Sequence, residues 1–158
     1  MRERGFSLVE LLIVVGVILV IAAIAVPSLM RSRIQANESS AVYSIRSINT
    51  AQVTYNVTYP SVGYASSLAQ LGPATGGTVG SAGAALLDGV LGCDTDPCTK
   101  SGYKFWIADT TGDPVASYTV MGVPLQPGTS GNRGFCSNNM NPVMADPSGG
   151  TNCTVPVE

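Results

Sequence analysis

The feature that most constrains this chain is an unbroken apolar run close to its first residue. Every residue from Leu11 to Val26 is apolar if Gly16 is included, and the wider stretch from Phe6 to Met30 contains one charged residue, Glu10. As an α-helix, this stretch would be about 37 Å long, enough to cross a hydrocarbon core of about 30 Å. No other part of the chain has a comparable run. The sequence therefore predicts one membrane helix followed by a globular domain.

Three interpretations of this run compete. It could be a cleaved secretory signal, because Arg2 and Arg4 form a basic start and 23–25 (Ala-Ile-Ala) resembles a small-residue cleavage site. It could also be a plain membrane anchor, or a membrane helix that serves in assembly. Arg31 and Arg33 follow the run and balance the two arginines before it, so the flanking charges do not fix an orientation.

Glu10 favours the third interpretation. A carboxylate within an apolar helix costs roughly 2.5–3.5 kcal/mol at the centre of a bilayer and less toward its surface. Neither a secretory signal nor a simple anchor needs such a residue. We therefore expect Glu10 to meet a cationic partner in the membrane or in an assembly, although a glutamate tolerated near the headgroups is the simpler alternative.

The residues around Glu10 carry a family resemblance. The string from Gly5 to Leu12, GFSLVELL, resembles the prepilin signature of type IV pilins and type II secretion pseudopilins. The resemblance implies that a prepilin peptidase cleaves between Gly5 and Phe6, that Phe6 is then N-methylated, and that Glu10 becomes the fifth mature residue. Glu10 would pair with the freed amine of a neighbouring subunit during assembly. Pro27 falls where many pilins have a helix-kinking proline.

The resemblance also implies an organisation and a role. Residues 1–5 would be the leader peptide, 6–30 the transmembrane and assembly helix, and 31–158 an exported pilin-like domain. The subunit would lie in the cytoplasmic membrane, in contact with lipid, and then polymerise with copies of itself on a membrane assembly platform. The product would be an extracellular pilus or a periplasmic pseudopilus. An exported soluble binding domain with a cleaved signal peptide remains the alternative from another class.

A continuous helix is expected beyond the membrane run. An apolar stripe recurs at helical spacing, broken only by one glutamine, and Asn56 and Pro60 give stop signals. The stripe comprises Ile34, Ala41, Ile45, Ile48, Gln52 and Tyr55. Pro27 has no amide hydrogen and predicts a kink, which the flexibility of Gly16 would assist. Ordinary tolerance of both residues in a membrane helix is the alternative.

The remainder of the chain predicts a connection and a small sheet, which gives an α+β fold. Residues 60–92 are rich in glycine, with one or two helical turns predicted at 66–71 and another at 82–87. Short β-type runs separated by turn signals then follow. They cover 102–108, 116–123, 133–137 and 142–145. We expect an antiparallel meander whose apolar face covers the second half of the helix, as in the pilin plan.

Four cysteines follow the membrane run, and an even number in an exported domain indicates disulfide bonds with three possible pairings. We favour Cys93–Cys98, which closes a tight loop, and Cys136–Cys153, which resembles the C-terminal disulfide loop of many pilins. A zinc site is the rival. It is disfavoured because no cysteine pair has two-residue spacing and the chain has no histidine.

Composition excludes several other functions. The absence of histidine removes the commonest general base, and no catalytic cluster is identifiable, so we do not expect an enzyme. A net charge of −2 with 11% charged residues argues against a broad nucleic-acid-binding face. No cofactor is expected. Two aspartate pairs, Asp94 with Asp96 and Asp109 with Asp113, could contribute to a calcium site, but neither supplies the six or more oxygens that calcium needs.

Overall fold

The computed structural model describes residues 6–140 and 142–157, so the predictions for Gly5 and the rest of the leader lie outside the described residues. The chain forms two compact units, Met1–Arg33 and Ile34–Glu158. One helix, α1, extends over Leu8–Thr58 and confirms the prediction of a single long helix that continues past residue 25. Pro27 lies inside α1 and does not end it.

The part of α1 within the second unit is amphipathic. Its buried positions recur every three or four residues: Glu38, Ala41, Ser44, Ile45, Ile48, Ala51, Gln52 and Tyr55. All the stripe residues predicted from Ala41 onward are among them, and Ile34 is half-buried. Glu38 and Ser44 are also buried on this face, and a search for apolar residues at helical spacing could not have predicted these two polar residues. This buried face is what holds the helix against the sheet.

Among the described residues, six strands form one antiparallel sheet in which each strand pairs with the next along the chain, as the predicted meander requires. The strands are β1 Cys98–Lys100, β2 Tyr103–Thr111, β3 Ser117–Pro124, β4 Gly134–Asn138, β5 Met144–Asp146 and β6 Val155–Pro156. The runs predicted from the sequence correspond to β2, β3, β4 and β5. The outer strands β1 and β6, of three and two residues, were not predicted.

The core lies between α1 and one face of the sheet. Buried residues alternate along β2 and β3, so that Phe105 and Val120 point toward the helix while their neighbours lie on the other face. Gly122 makes close packing possible. A Cβ atom at this position would lie 2.9 Å from the Phe105 ring and 3.1 Å from Cδ1 of Ile45. The absence of a side chain here lets the helix and sheet approach each other.

The connection between helix and sheet is anchored by a buried amide. Gln52 donates to the carbonyl oxygen of Ala65 and accepts from the amide of the same residue, each at 2.8 Å. The single turn α2, Leu68–Leu71, follows and confirms the first predicted helical turn. This explains why a polar residue stands in the otherwise apolar stripe of α1: a buried amide whose donor and acceptor are both satisfied carries little desolvation cost.

The second helical turn, predicted at 82–87, is wrong. These residues run alongside the end of α2 instead, and the amides of Ala84 and Leu86 donate to the carbonyls of Gln70 and Leu71 at 2.9 Å. Ala85 takes the left-handed region, with φ 54°. The backbone hydrogen bonds that a helix would have used locally are therefore made to a neighbouring segment. Composition favoured a helix here, but tertiary contacts decided otherwise.

Candidate functional site

The candidate functional site is the exposed apolar surface of α1 in the first unit. An 18-residue window has a mean hydropathy of 3.1 and none of its residues is buried. The side chains of Phe6, Leu8 and Ile24 are 83%, 78% and 75% exposed. By length and composition this segment is able to cross a membrane, although a secretory signal passes the same test. Such a surface requires lipid or another protein surface to cover it.

Glu10 begins this surface and caps its own helix. The amide of Ser7 donates to Oε2 of Glu10 at 3.0 Å, and α1 begins one residue later, at Leu8. A glutamate that reaches back from the third helical position to the N-cap amide forms half of a capping box. Its negative charge also lies where the helix dipole favours an anion. Within the described residues Glu10 makes no ion pair.

The sequence analysis missed this local role, although the signal was present. Ser7 followed three residues later by Glu10, just before an apolar run, is the capping-box pattern. The carboxylate therefore has a partner within its own chain before any assembly. A pairing with a second chain would have to replace this hydrogen bond or share the carboxylate with it.

The other N-terminal positions are accessible. Phe6 lies before the first residue of α1 and is exposed, whereas Gly5 lies outside the described residues. Nothing lies within 4 Å of a Cβ atom built at Gly16. Pro27 removes one helical hydrogen bond and remains a predicted kink. Gly16 and Pro27 are not brought together with Glu10 into a pocket; all three are positions along one helix.

The four cysteines form two bonds in the second unit. Cys93 is joined to Cys98 with Cα atoms 5.7 Å apart, and Cys136 to Cys153 with Cα atoms 6.1 Å apart. The first bond closes the loop before β1, and the second ties the segment after β5 to β4. None of the cysteines is free. They brace the second unit and are not part of the apolar surface.

The aspartates do not converge on a metal site. In the part of the chain that the structure describes, no three residues of the types His, Cys, Asp and Glu lie close enough to hold a metal ion. The pKa of the Asp88 carboxyl is lowered, first by a hydrogen bond from the Leu91 amide and then by one from Lys100. Burial raises the pKa of Asp96 instead.

Comparison with known proteins identifies the N-terminal segment. Residues 1–26 match the family described as the prokaryotic N-terminal methylation motif. The chain carries the prepilin-type methylation motif. This match confirms the resemblance stated from Gly5 to Leu12. The cleavage and pairing roles of Gly5, Phe6 and Glu10 remain predictions.

Two relatives that match part of the chain are a pilus protein and a secretion protein. The chain is 39% identical over 54 residues to the type IV major pilin protein PilA of Myxococcus xanthus (strain DK1622), a match of 34% of this chain and 24% of the relative. It is 38% identical over 63 residues to the type II secretion system core protein G of Pectobacterium carotovorum subsp. carotovorum, covering 38% of this chain and 40% of the relative.

The chain thus spans about a quarter and two fifths of the lengths of these relatives. No solved structure matches it significantly. The family match covers residues 1–26, and the two relatives match over 54 and 63 residues.

Proposed function

We propose that the protein is a structural subunit of a type IV pilus-like filament, processed by a prepilin peptidase and polymerised through the apolar part of α1. The observation that carries the proposal is the combination of the methylation motif at residues 1–26 with an apolar helix surface that the chain itself leaves uncovered. We propose cleavage between Gly5 and Phe6 and N-methylation of Phe6. The role is binding, not turnover of a substrate.

Assembly would exchange one apolar environment for another. Burying a CH₂ group gains about 0.8 kcal/mol relative to water, but lipid is already apolar, so removal from the membrane must be balanced by packing between helices. Small residues such as Ala22, Ala23 and Ala25 in α1 permit close approach of helices. Because packing between helices only balances the loss of contact with lipid, we assign the step that drives subunits out of the membrane to an assembly platform in the cytoplasmic membrane.

Glu10 would set the axial register of the filament. Cleavage frees the α-amine of Phe6, whose reference pKa of about 7.7–8.0 leaves it mostly cationic at neutral pH. The carboxylate of one subunit would then exchange its bond to the Ser7 amide for an ion pair with the amine of the next. In an apolar surrounding an unpaired charge is costly, so only the register that pairs the two groups is stable.

Two alternatives have specific observations behind them. The relationship to a type II secretion core protein favours a pseudopilin, a periplasmic filament that serves protein secretion. The sequence 23–25, Ala-Ile-Ala, keeps open an exported binding domain released by signal peptidase.

Mass spectrometry of the mature N-terminus tests the proposal. Intact protein is purified from sheared filaments and from the membrane fraction. The proposal expects a chain that starts at N-methylated Phe6 in both fractions. A start at Val26 would support the secreted alternative, and an intact Met1 would support a plain anchor. Either result overturns the filament proposal.

A second experiment separates pilus from pseudopilus. The gene is deleted, and surface fibres and secreted proteins are compared with the parent strain at native expression. Loss of surface fibres with normal secretion supports the pilus subunit. Loss of secretion without loss of fibres supports the pseudopilin.

A further inference from the structure

The sheet carries an apolar groove on the side that faces away from α1. Its volume is about 460 Å³, within the range of small-molecule sites. We call it the Trp106 groove, and it is lined by Asp96, Pro97, Lys104, Trp106, Ile107 and Val123. The groove lies outside the N-terminal unit, and the proposed filament function makes no use of it.

Three elements build this groove, and a covalent bond braces one of them. Asp96 and Pro97 come from the loop closed by the Cys93–Cys98 disulfide. Cys98 is 1% exposed and pairs with Phe105 across β1 and β2, so the loop is fixed to the sheet directly beside the groove. The remaining wall comes from β2 and β3. A site formed between fixed elements loses little conformational entropy when a ligand binds.

Trp106 is the platform of the groove. It is the only tryptophan of the chain and is half-exposed on a face where an antiparallel sheet ordinarily presents polar residues to water. In the described part of the chain its indole N–H makes no hydrogen bond. The ring therefore offers a flat π-face and one unused donor.

Two opposite charges line the same groove without neutralising each other. The described ion pairs are Lys100 with Asp88 and Arg133 with Glu38, so Asp96 and Lys104 are both unpaired. Burial raises the pKa of Asp96, which is consistent with a partly desolvated wall. Lys104 would repel a cation that Asp96 attracts, and Asp96 would repel an anion that Lys104 attracts, so a ligand with a single charge gains little from the pair. The groove suits a neutral ligand with hydroxyl groups that both donate and accept.

We propose that the Trp106 groove binds a neutral pyranose ring of a carbohydrate. The ring's C–H groups would lie on the negative face of the indole, and its hydroxyls would donate to Asp96 and accept from Lys104. A sugar ring combines an apolar face with a polar edge, as the groove does. This binding activity does not depend on the filament function.

The single tryptophan makes the test direct, because emission excited selectively at the indole, and not at the six tyrosines, reports on this groove alone. The full chain is held in a polyoxyethylene detergent, since detergents with sugar headgroups would compete. It is titrated with methyl pyranosides of glucose, galactose, mannose and N-acetylglucosamine. We expect a saturable change in emission for at least one of them, with a Kd of about 1 mM, typical of a few hydrogen bonds on one aromatic ring. No saturable change with any of the four overturns the proposal.

Variants locate the binding. Asp96→Asn and Lys104→Met should each weaken binding about tenfold, as expected for loss of a charge-assisted hydrogen bond. Asp94→Asn is the matched control, because it lies in the same disulfide loop but does not line the groove. Trp106→Ala, followed by saturation-transfer NMR, should abolish the signal from the sugar. Circular dichroism and a non-reduced mass confirm that each variant is folded. An equal loss in Asp94→Asn contradicts the assignment.

Two further measurements distinguish a soluble saccharide from a surface glycan and test whether a second copy of the chain occupies the groove instead. Binding to the free pyranosides but not to an immobilised polymer of the same sugar indicates a soluble saccharide; binding to both indicates a surface glycan. If the Trp106 emission instead changes with protein concentration in the absence of sugar, a second copy of the chain occupies the groove, and the carbohydrate proposal is wrong.

Discussion

Arg133, directly before β4, places Nη2 2.8 Å from Oε2 of Glu38 on α1, although the two residues are 95 positions apart in sequence. The other oxygen of Glu38 accepts from the amides of Asn132 and Arg133 at 2.9 and 3.2 Å. The Glu38 side chain is 9% exposed, and the guanidinium of Arg133 also lies over the Phe135 ring. One carboxylate thus joins the helix to the start of a strand.

Replacing Glu38 by Ala should destabilise the second unit by about 2–3 kcal/mol, because it leaves two amides and a guanidinium without an acceptor. Arg133 is half-exposed, which keeps the cost below that of a fully buried pair. Urea unfolding followed by near-ultraviolet circular dichroism measures the change. Glu38→Gln is the matched control, since it keeps an oxygen acceptor and should lose less. Equal losses in the two variants would show that the carboxylate charge is unimportant.

High pH should unfold the second unit through its buried tyrosines. Burial, followed by the neighbouring Tyr64, raises the pKa of Tyr118 to about 12. Burial and the Glu38 charge raise the pKa of Tyr103, and burial with Tyr59 raises the pKa of Tyr55. Because the folded-state pKa is above the unfolded value of about 10, the stabilisation is complete below pH 10 and is lost as pH rises toward 12.

Ultraviolet titration of tyrosinate tests this. The three buried rings should titrate only as the circular dichroism signal is lost. In denaturant all six tyrosines should titrate together near pH 10. A single step near pH 10 in the folded protein, with native circular dichroism, would contradict the burial of these rings.

The two disulfides should contribute unequally to stability. The Cys136–Cys153 bond spans 17 positions and the Cys93–Cys98 bond spans 5. In the chain-entropy treatment these spans correspond to roughly 3 and 2 kcal/mol. Paired Cys→Ser variants of each bond, compared by urea unfolding without reductant, should show the larger loss for Cys136 and Cys153. The opposite order would mean that packing around the short loop outweighs loop entropy.

Glu10 variants should separate helix capping from ion pairing. Glu10→Gln keeps an oxygen that can accept from the Ser7 amide but carries no charge, whereas Glu10→Ala loses both. We expect both variants to insert in the membrane and neither to give normal filaments. Only Glu10→Ala should also weaken the start of α1, by about 1 kcal/mol. Filament yield by shearing is the measurement. A normal yield from Glu10→Gln would remove the ion pair from the assembly mechanism.

Local patterns in the sequence predicted much of this fold. The long helix, the buried stripe on its second half and strands β2 to β5 all follow from spacings within a few residues. The prediction of a helical turn at 82–87 was wrong because the backbone groups of this segment form hydrogen bonds with the segment around α2. Local composition does not encode such a contact. Strands β1 and β6 were not predicted because no local pattern marks them. They are recognised as strands from their pairing with β2 and β5, which is a tertiary contact.

The sequence by itself determined the apolar run, the methylation motif and the Ser7–Glu10 cap, because each is a pattern of neighbouring residues along one helix. Only the tertiary structure brought Glu38 to Arg133 and assembled the groove of Asp96, Lys104 and Trp106. These groups are distant in sequence or lie on separate elements. Their proximity depends on the register of the sheet and on the docking of a helix, and these are set by the packing of the whole core.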